Sequence, residues 1–122
     1  VKNHKKNKTN FNDKNINNML DTLKNLLGLN SQTDYKELLK QGAIIVDVRS
    51  KGEYVGGHIK GSINIPVDKL GSNLHLIKDK SKIIITCCAS GARSGSAKSW
   101  LQSNGYTRVY NGGGWSSLQY KI

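Results

Sequence analysis

Cys88 opens the segment Cys88-Ala89-Ser90-Gly91-Ala92-Arg93-Ser94, a thiol followed by four small residues, an arginine and a hydroxyl. The thiolate is the reactive form of cysteine, and it is favoured where a helix N-terminus or a cation faces the sulfur. Small residues let backbone N–H groups turn inward as an anion cradle. A helix that follows the loop adds the positive end of its dipole. Arg93 can hold an anionic substrate, as arginine does for oxyanions, or it can brace the loop through carbonyls or a carboxylate. Ser94 can donate a hydrogen bond or cap the next helix. The chemistry on offer is nucleophilic attack by Cys88 inside a small pocket whose specificity rests on amides and Arg93.

Such a loop needs a strand before it and a helix after it. Lys82 to Cys87 is a β-branched run that reads as a buried strand. Ser94 to Ser103 reads as a helix stopped by Asn104-Gly105. Upstream, Asp34-Tyr35-Lys36-Glu37 resembles a capping box opening a helix that ends at Gly42. Ile44 to Val48 is a near-continuous apolar run, as expected of a strand covered on both faces. A helical turn is expected at Glu53 to Val55, a short strand at Ile63 to Ile65, and a helix over Val67 to Leu76 with a break at Gly71. Tyr106 to Tyr110 reads as the last strand, Gly112-Gly113-Gly114 as a turn, and Trp115 to Tyr120 as a final helix. This alternation predicts an α/β domain with a mainly parallel central sheet. Cys88 then falls at the carboxyl end of a strand, where reactive groups of such sheets belong.

The chain has 122 residues, enough for one domain with a real core, and a formal net charge of +11. That charge makes nucleic acid the first partner to weigh. Residues 1–18, however, hold five lysines and one aspartate. No Arg-rich helix, zinc-finger spacing or aromatic RNA-binding motif appears elsewhere, so a solvated basic surface is the expectation and a nucleic-acid partner is not. The segment 1–18 is dominated by Asn and Lys and reads as a disordered tail. Met19, Leu20, Leu23, Leu26 and Leu27 recur at helical spacing, which predicts a short amphipathic helix over 19–30 that packs on a domain over 31–122. A dimer contact or a membrane-surface role for that helix is the sharper and weaker reading. Met19, the sole methionine, is a candidate natural start, and the first residue, Val1, is compatible with a removed leader. Two adjacent cysteines make neither a disulfide framework nor a metal site. A catalytic thiol suits a reducing compartment, so the cytoplasm is expected. No run approaches transmembrane length.

Three segments carry a family resemblance. Ile45-Val46-Asp47-Val48-Arg49 with Glu53-Tyr54, then Gly57-His58-Ile59-Lys60-Gly61-Ser62-Ile63-Asn64-Ile65-Pro66, resembles the N-terminal signature of a rhodanese domain. Ile85-Thr86-Cys87-Cys88-Ala89-Ser90-Gly91-Ala92-Arg93-Ser94 is similar to its active-site segment. Gly105-Tyr106 and Val109-Tyr110-Asn111-Gly112-Gly113-Gly114-Trp115 resemble its C-terminal end. The resemblance covers roughly residues 32–120 and implies a doubly wound α/β fold with helices flanking the sheet. It implies sulfur transfer from thiosulfate or a similar small anionic donor through a persulfide on Cys88, with no separate cofactor and no metal. Loop amides from Ala89 to Ser94, with Arg93, would hold the sulfur. The acceptor would be cyanide in an assay or a thiol in a cell, including that of a thioredoxin-like or sulfur-relay protein, and a monomer is expected. Related phosphatases have a loop of the form C-x5-R; the C-x4-R spacing from Cys88 to Arg93 disfavours phosphatase or arsenate reductase activity. A non-catalytic binding module is the other alternative.

Other residues are expected to support the site. Asp47, at a strand centre, needs partners; it is expected to receive loop amides or pair with Arg49, and both are candidates for support of the loop. Arg49 and Glu53, four apart, are expected to pair and fix the following turn. Cys87 should point into the sheet core as an inert thiol. His58 is expected to be structural, and Trp100 and Trp115 to pack.

Overall fold

The β-branched runs fold as strands. Ile44–Asp47 (β1), Ile63–Asn64 (β2), Ile84–Cys88 (β3) and Val109–Gly114 (β4) form one sheet in the order β2-β1-β3-β4, and every neighbouring pair is parallel. The computed structural model describes Met19, Leu20, Thr22, Leu23 and residues 33–122. The chain divides into units 1–33 and 34–122, and the sheet belongs to the second. Of the helix expected over 19–30, Met19, Leu20, Thr22 and Leu23 are helical. The rest of it, and the tail 1–18, lie outside the described residues.

Parallel strands need crossovers, and the helices supply them. Tyr35–Lys40 (α1) precedes β1, Lys51–Val55 (α2) follows it, Ala92–Ser103 (α3) joins β3 to β4, and Trp115–Gln119 (α4) ends the domain. Asp34 caps α1, its side chain accepting from the Glu37 N–H at 3.1 Å. Ser50 opens α2 with a full capping box to Glu53, which fixes where the Glu53 carboxylate points.

Strand alternation divides the core in two. Val46, Val48, Ile84 and Cys88 face Ala97 and Leu101 of α3, with Ile65, Leu70, Ile77 and Tyr106. Ile45, Ile83, Ile85 and Cys87 face the other way, against Leu38 of α1 and Leu118 of α4. The fold is thus doubly wound around a parallel sheet, as the sequence predicts.

Several boundaries differ from expectation. Val67 to Leu76 does not form a helix around a break; it yields two 3-10 turns, Val67–Lys69 and Leu74–Ile77. The first follows Pro66, whose fixed φ suits a turn. Helix α3 starts at Ala92 rather than Ser94, because Gly91 adopts the left-handed conformation (φ 105°) and takes the N-cap position. Gly112-Gly113-Gly114 is not a turn: it belongs to β4, which pairs with Thr86 and Cys88 across a register shift. Tyr106 was expected in that strand, yet its ring is buried and its hydroxyl donates to the Ile77 carbonyl at 2.7 Å, before pairing begins. Gly112 and Gly114 are there for space, and Gly113 for its positive φ (80°). A Cβ on Gly112 would sit 2.8 Å from Leu118 Cδ2 and 2.9 Å from the Thr86 carbonyl oxygen.

Gly112→Ala is therefore expected to lower unfolding stability by ~1–3 kcal/mol, the usual range for overpacking. Urea titration measures it; a cost near zero would mean that this stretch behaves as an open turn.

Candidate active site

The site is built at the carboxyl end of β3, where the chain passes through Ala89 to Gly91 into α3. Cys88 is the last residue of β3 and only 1% exposed. Gly91, in its left-handed turn, donates its N–H to Cys88 Sγ at 3.0 Å. The Ser94 hydroxyl lies 3.3 Å from the same sulfur. A positive φ is strained for any residue with a Cβ, so glycine at position 91 is what lets the amide face the sulfur.

These contacts set the thiol's acidity. Burial pushes the Cys88 pKa up, but hydrogen bonds from the Ser94 hydroxyl and backbone, then from the backbone of Gly91 and Ser90, outweigh it and leave the thiol below its ordinary value. Cys87, one residue earlier, is also buried and lacks those donors. Burial, reinforced by Asp47, pushes it up to about 12. The expectation of an inert core thiol at Cys87 matches its place in the opposite core layer.

Ser94 is held as firmly as the sulfur. Its hydroxyl donates to Asn111 Oδ1 at 2.7 Å, and its carbonyl accepts from the Thr86 hydroxyl at 2.9 Å. Asn111 also donates from Nδ2 to the Gly91 carbonyl at 3.1 Å and accepts the Gly113 N–H on Oδ1 at 2.9 Å. One amide side chain on β4 therefore ties together the loop, the first turn of α3 and the glycine strand. Sequence reasoning placed Asn111 inside a family-like segment but assigned it no role. A polar residue in a strand that is otherwise glycine and apolar was the available signal.

Arg93 reaches across to α2. Its guanidinium makes a bidentate pair with Glu53 of α2, at 2.7 and 3.0 Å. The pair holds the Glu53 carboxyl down at about 2, with help from the Ser50 backbone and hydroxyl. Of the two roles open to Arg93, the structure shows the brace. The expected Arg49–Glu53 side-chain pair does not form: Arg49 reaches only the Glu53 carbonyl, at 3.4 Å, because each carboxylate has a better-placed arginine. Arg49 binds Asp47 through Nε and Nη2, at 3.0 and 2.8 Å, and through its backbone N–H at 3.0 Å. Asp47 is fully buried, and this pairing meets the requirement that a buried charge be matched. Arg49 also donates to the Gly57 carbonyl at 2.6 Å and lies over the Trp115 ring at 4.7 Å. The pair thus fixes the frame of α2, which presents Glu53 to Arg93; its support of the cysteine loop is indirect.

His58 does not meet Cys88. It stacks on Tyr54 with centroids 3.7 Å apart, and its Nδ1 lies 2.7 Å from the Tyr54 carbonyl oxygen. A cavity of about 240 Å³ opens beside Arg93, lined also by Val48, Ser50, Lys51, Pro66 and Lys69 but not by Cys88. Among the described residues, no group of three or more His, Cys, Asp or Glu side chains could hold a metal ion. Nor is any helix among them long and apolar enough to cross a membrane.

Comparison with known proteins agrees with the geometry. The chain matches the family described as Rhodanese-like domain over residues 31–120. It is 37% identical over 70 residues to the thiosulfate sulfurtransferase PspE of Escherichia coli (strain K12), which covers 57% of this chain and 67% of that protein. It is 35% identical over 74 residues to a tRNA uridine(34) hydroxylase of Erwinia tasmaniensis, covering 57% of this chain but only 21% of the relative's length. Among solved structures, a rhodanese with anions from E. coli superposes with a TM-score of 0.59 at 34% identity, covering 62% of this chain and 89% of that one.

Alkylation of the folded protein followed by peptide mapping should label Cys88 and leave Cys87 untouched through the neutral range. Because the Cys88 pKa is lowered, its labelling should persist below the pH at which a free cysteine stops reacting. Ser94→Ala should move that limit upward by removing a donor to the thiolate. Equal labelling of the two cysteines would contradict the site as described.

Proposed function

The chain belongs to the rhodanese-like domain family, and we propose that it is a sulfurtransferase that carries sulfane sulfur as a persulfide on Cys88. The observation that supports this most is the sulfur itself: buried, accepting from the Gly91 N–H, in hydrogen-bond contact with the Ser94 hydroxyl, and with its acidity raised by these neighbours. Those donors stabilise the thiolate that attacks, and the loop amides the anionic outer sulfur that follows.

Thiosulfate, or a donor of the same kind, supplies the sulfur. The Cys88 thiolate attacks the outer sulfur of thiosulfate, and a new S–S bond forms. The bond between the two thiosulfate sulfurs breaks, and its electron pair leaves with sulfite. The negative charge then rests on the outer sulfur of the persulfide, inside the ring of loop amides from Ala89 to Ser94. A thiolate acceptor attacks that outer sulfur, takes it as its own persulfide and returns Cys88 as a thiolate. Each step is a two-electron displacement at sulfur with no net redox change, so the residues present are sufficient and the sulfur is held covalently on the protein. Splitting the transfer this way is covalent catalysis.

The closeness of the site favours sulfur over phosphorus. Cys88 is only 1% exposed, which suits delivery of one terminal atom better than seating of a tetrahedral phosphoryl group. The C-x4-R loop, one residue shorter than that of the related phosphatases, agrees. The non-catalytic alternative leaves unexplained why the loop amides and Ser94 converge on the sulfur. The hydroxylase activity named for one relative is not carried over, since the match spans about a fifth of that protein. A reducing compartment such as the cytoplasm would keep Cys88 available as a thiol.

Intact mass before and after thiosulfate tests the reading. The wild type should gain one sulfur atom, Cys88→Ser none, and cyanide should remove the gain. A wild type that takes sulfur from neither thiosulfate nor a protein persulfide would refute it.

A further inference from the structure

The contacts of Ser94 contain a proton count that the sulfur-transfer reading does not use. A serine hydroxyl has one proton. Two acceptors stand within its reach: Asn111 Oδ1 at 2.7 Å and Cys88 Sγ at 3.3 Å. It cannot serve both at once. The orientation of the Asn111 amide is determined by its other neighbours: Nδ2 meets the Gly91 carbonyl and Oδ1 meets the Gly113 N–H. Swapping the two atoms would set donor against donor and acceptor against acceptor, so Oδ1 is the atom that faces Ser94.

We propose that Asn111 is a positioning residue for Cys88: it competes with the Cys88 sulfur for the single proton of Ser94, so that the hydroxyl turns to the sulfur only while the sulfur is charged. This rests on Cys88 being the sulfur-carrying nucleophile. With Cys88 as a thiol, its S–H donates to Ser94 Oγ and Ser94 donates to Asn111. With Cys88 as a thiolate, the hydroxyl turns to the sulfur, because a hydrogen bond to a charged acceptor is roughly twice as strong as a neutral one. Asn111 Oδ1 then keeps the Gly113 N–H. When the persulfide forms, the charge moves to the outer sulfur and the hydroxyl returns to Asn111. The hydroxyl follows the charge through the cycle at the cost of one bond exchanged for another.

The surroundings leave this exchange as the local control. Asn111 is anchored by the Tyr35 hydroxyl, which donates to its carbonyl at 3.1 Å. A Cβ on Gly95 would lie 3.2 Å from Asn111 Nδ2, so α3 closes on the amide only because residue 95 is glycine. On the charged side, Arg93 at the start of α3 is tied to Glu53 of α2, and from β3 the neighbouring thiol is Cys87. The Asp47–Arg49 pair of β1 acts on Cys87. From β4 the titratable side chain is Tyr110, which packs in the opposite core layer, leaving the neutral Asn111 amide toward Cys88.

The proposal predicts a sign that a merely structural Asn111 does not. The pH midpoint of Cys88 alkylation should fall in Asn111→Ala, because Ser94 loses its competing acceptor. At a fixed pH below that midpoint the thiolate population should rise roughly fivefold, the size of one net hydrogen bond. Ser94→Ala should raise the midpoint, and adding Asn111→Ala to it should change nothing further, a coupling that a double-mutant cycle isolates. If Asn111 only holds the loop, the midpoint rises in both backgrounds, and the proposal is overturned. Circular dichroism checks the fold. Should Asn111→Ala not fold, the Gly113 amide proton is followed by NMR through the Cys88 titration. It should move with Cys88 in the wild type, as Oδ1 gives up Ser94, and stay still in Ser94→Ala. Movement that persists in Ser94→Ala, or no movement in the wild type, overturns the proposal. The thiosulfate mass assay is separate: expected midpoints without sulfur loading would refute the functional reading and leave the competition for the proton standing.

Discussion

A thiol made acidic while only 1% exposed imposes a condition on everything around it: water cannot supply hydrogen bonds to its thiolate, so the backbone and the Ser94 hydroxyl have to. Hydrogen bonds to a charged group contribute ~1.5–3 kcal/mol each, and only several together offset the desolvation of an ion. The loop supplies them by turning at Gly91 and by starting α3 at once, so that amides and a helix N-terminus converge. The glycines of β4 answer the same condition from the other side. A strand with side chains could not approach the Thr86 carbonyl as closely as Gly112 does, and Asn111 would then stand too far from Ser94.

The two cysteines show how much of their chemistry is decided by alternation. Both are buried, and burial raises both. Cys87 projects into the layer of Ile83, Ile85 and Leu118, where none of the described residues donates to it, and a buried carboxylate adds to its rise. Cys88 projects toward α3 and meets its first turn. A one-residue change of register would exchange their environments. The parallel pairing of β3 with β1, which sets Asp47 against Cys87, therefore helps decide which thiol is the more acidic.

The sheet was legible because its strands are apolar on both faces, and the cysteine loop was legible because small residues between a strand and a helix have few other uses. The elements that sequence misplaced share a cause. Gly112 to Gly114 carry no side-chain pattern, so a strand selected for close approach looks like a turn. The stretch after Pro66 has enough apolar residues for a helix, but its helical segments are two short 3-10 turns. The Arg49–Glu53 pairing was a local rule applied to residues four apart. It lost to Asp47, two residues away along the chain, and to Arg93, forty residues away, neither of which spacing on a helix can foresee. Asn111 was missed for the same reason: its partners at Gly91, Ser94 and Tyr35 are distant in sequence.

The brace on Arg93 bears on how an anion is received. The bidentate bond to Glu53 pairs the cation at the start of α3, so the positive field left at Cys88 is that of the amides and the helix end. Both partners are partly exposed, but their two-point geometry is the one in which an exposed pair holds. Glu53 stays ionised down to about 2, so the pair does not open by titration near neutrality. Glu53 thus keeps Arg93 extended toward α2 and links the first turn of α3 to the capping box that fixes α2.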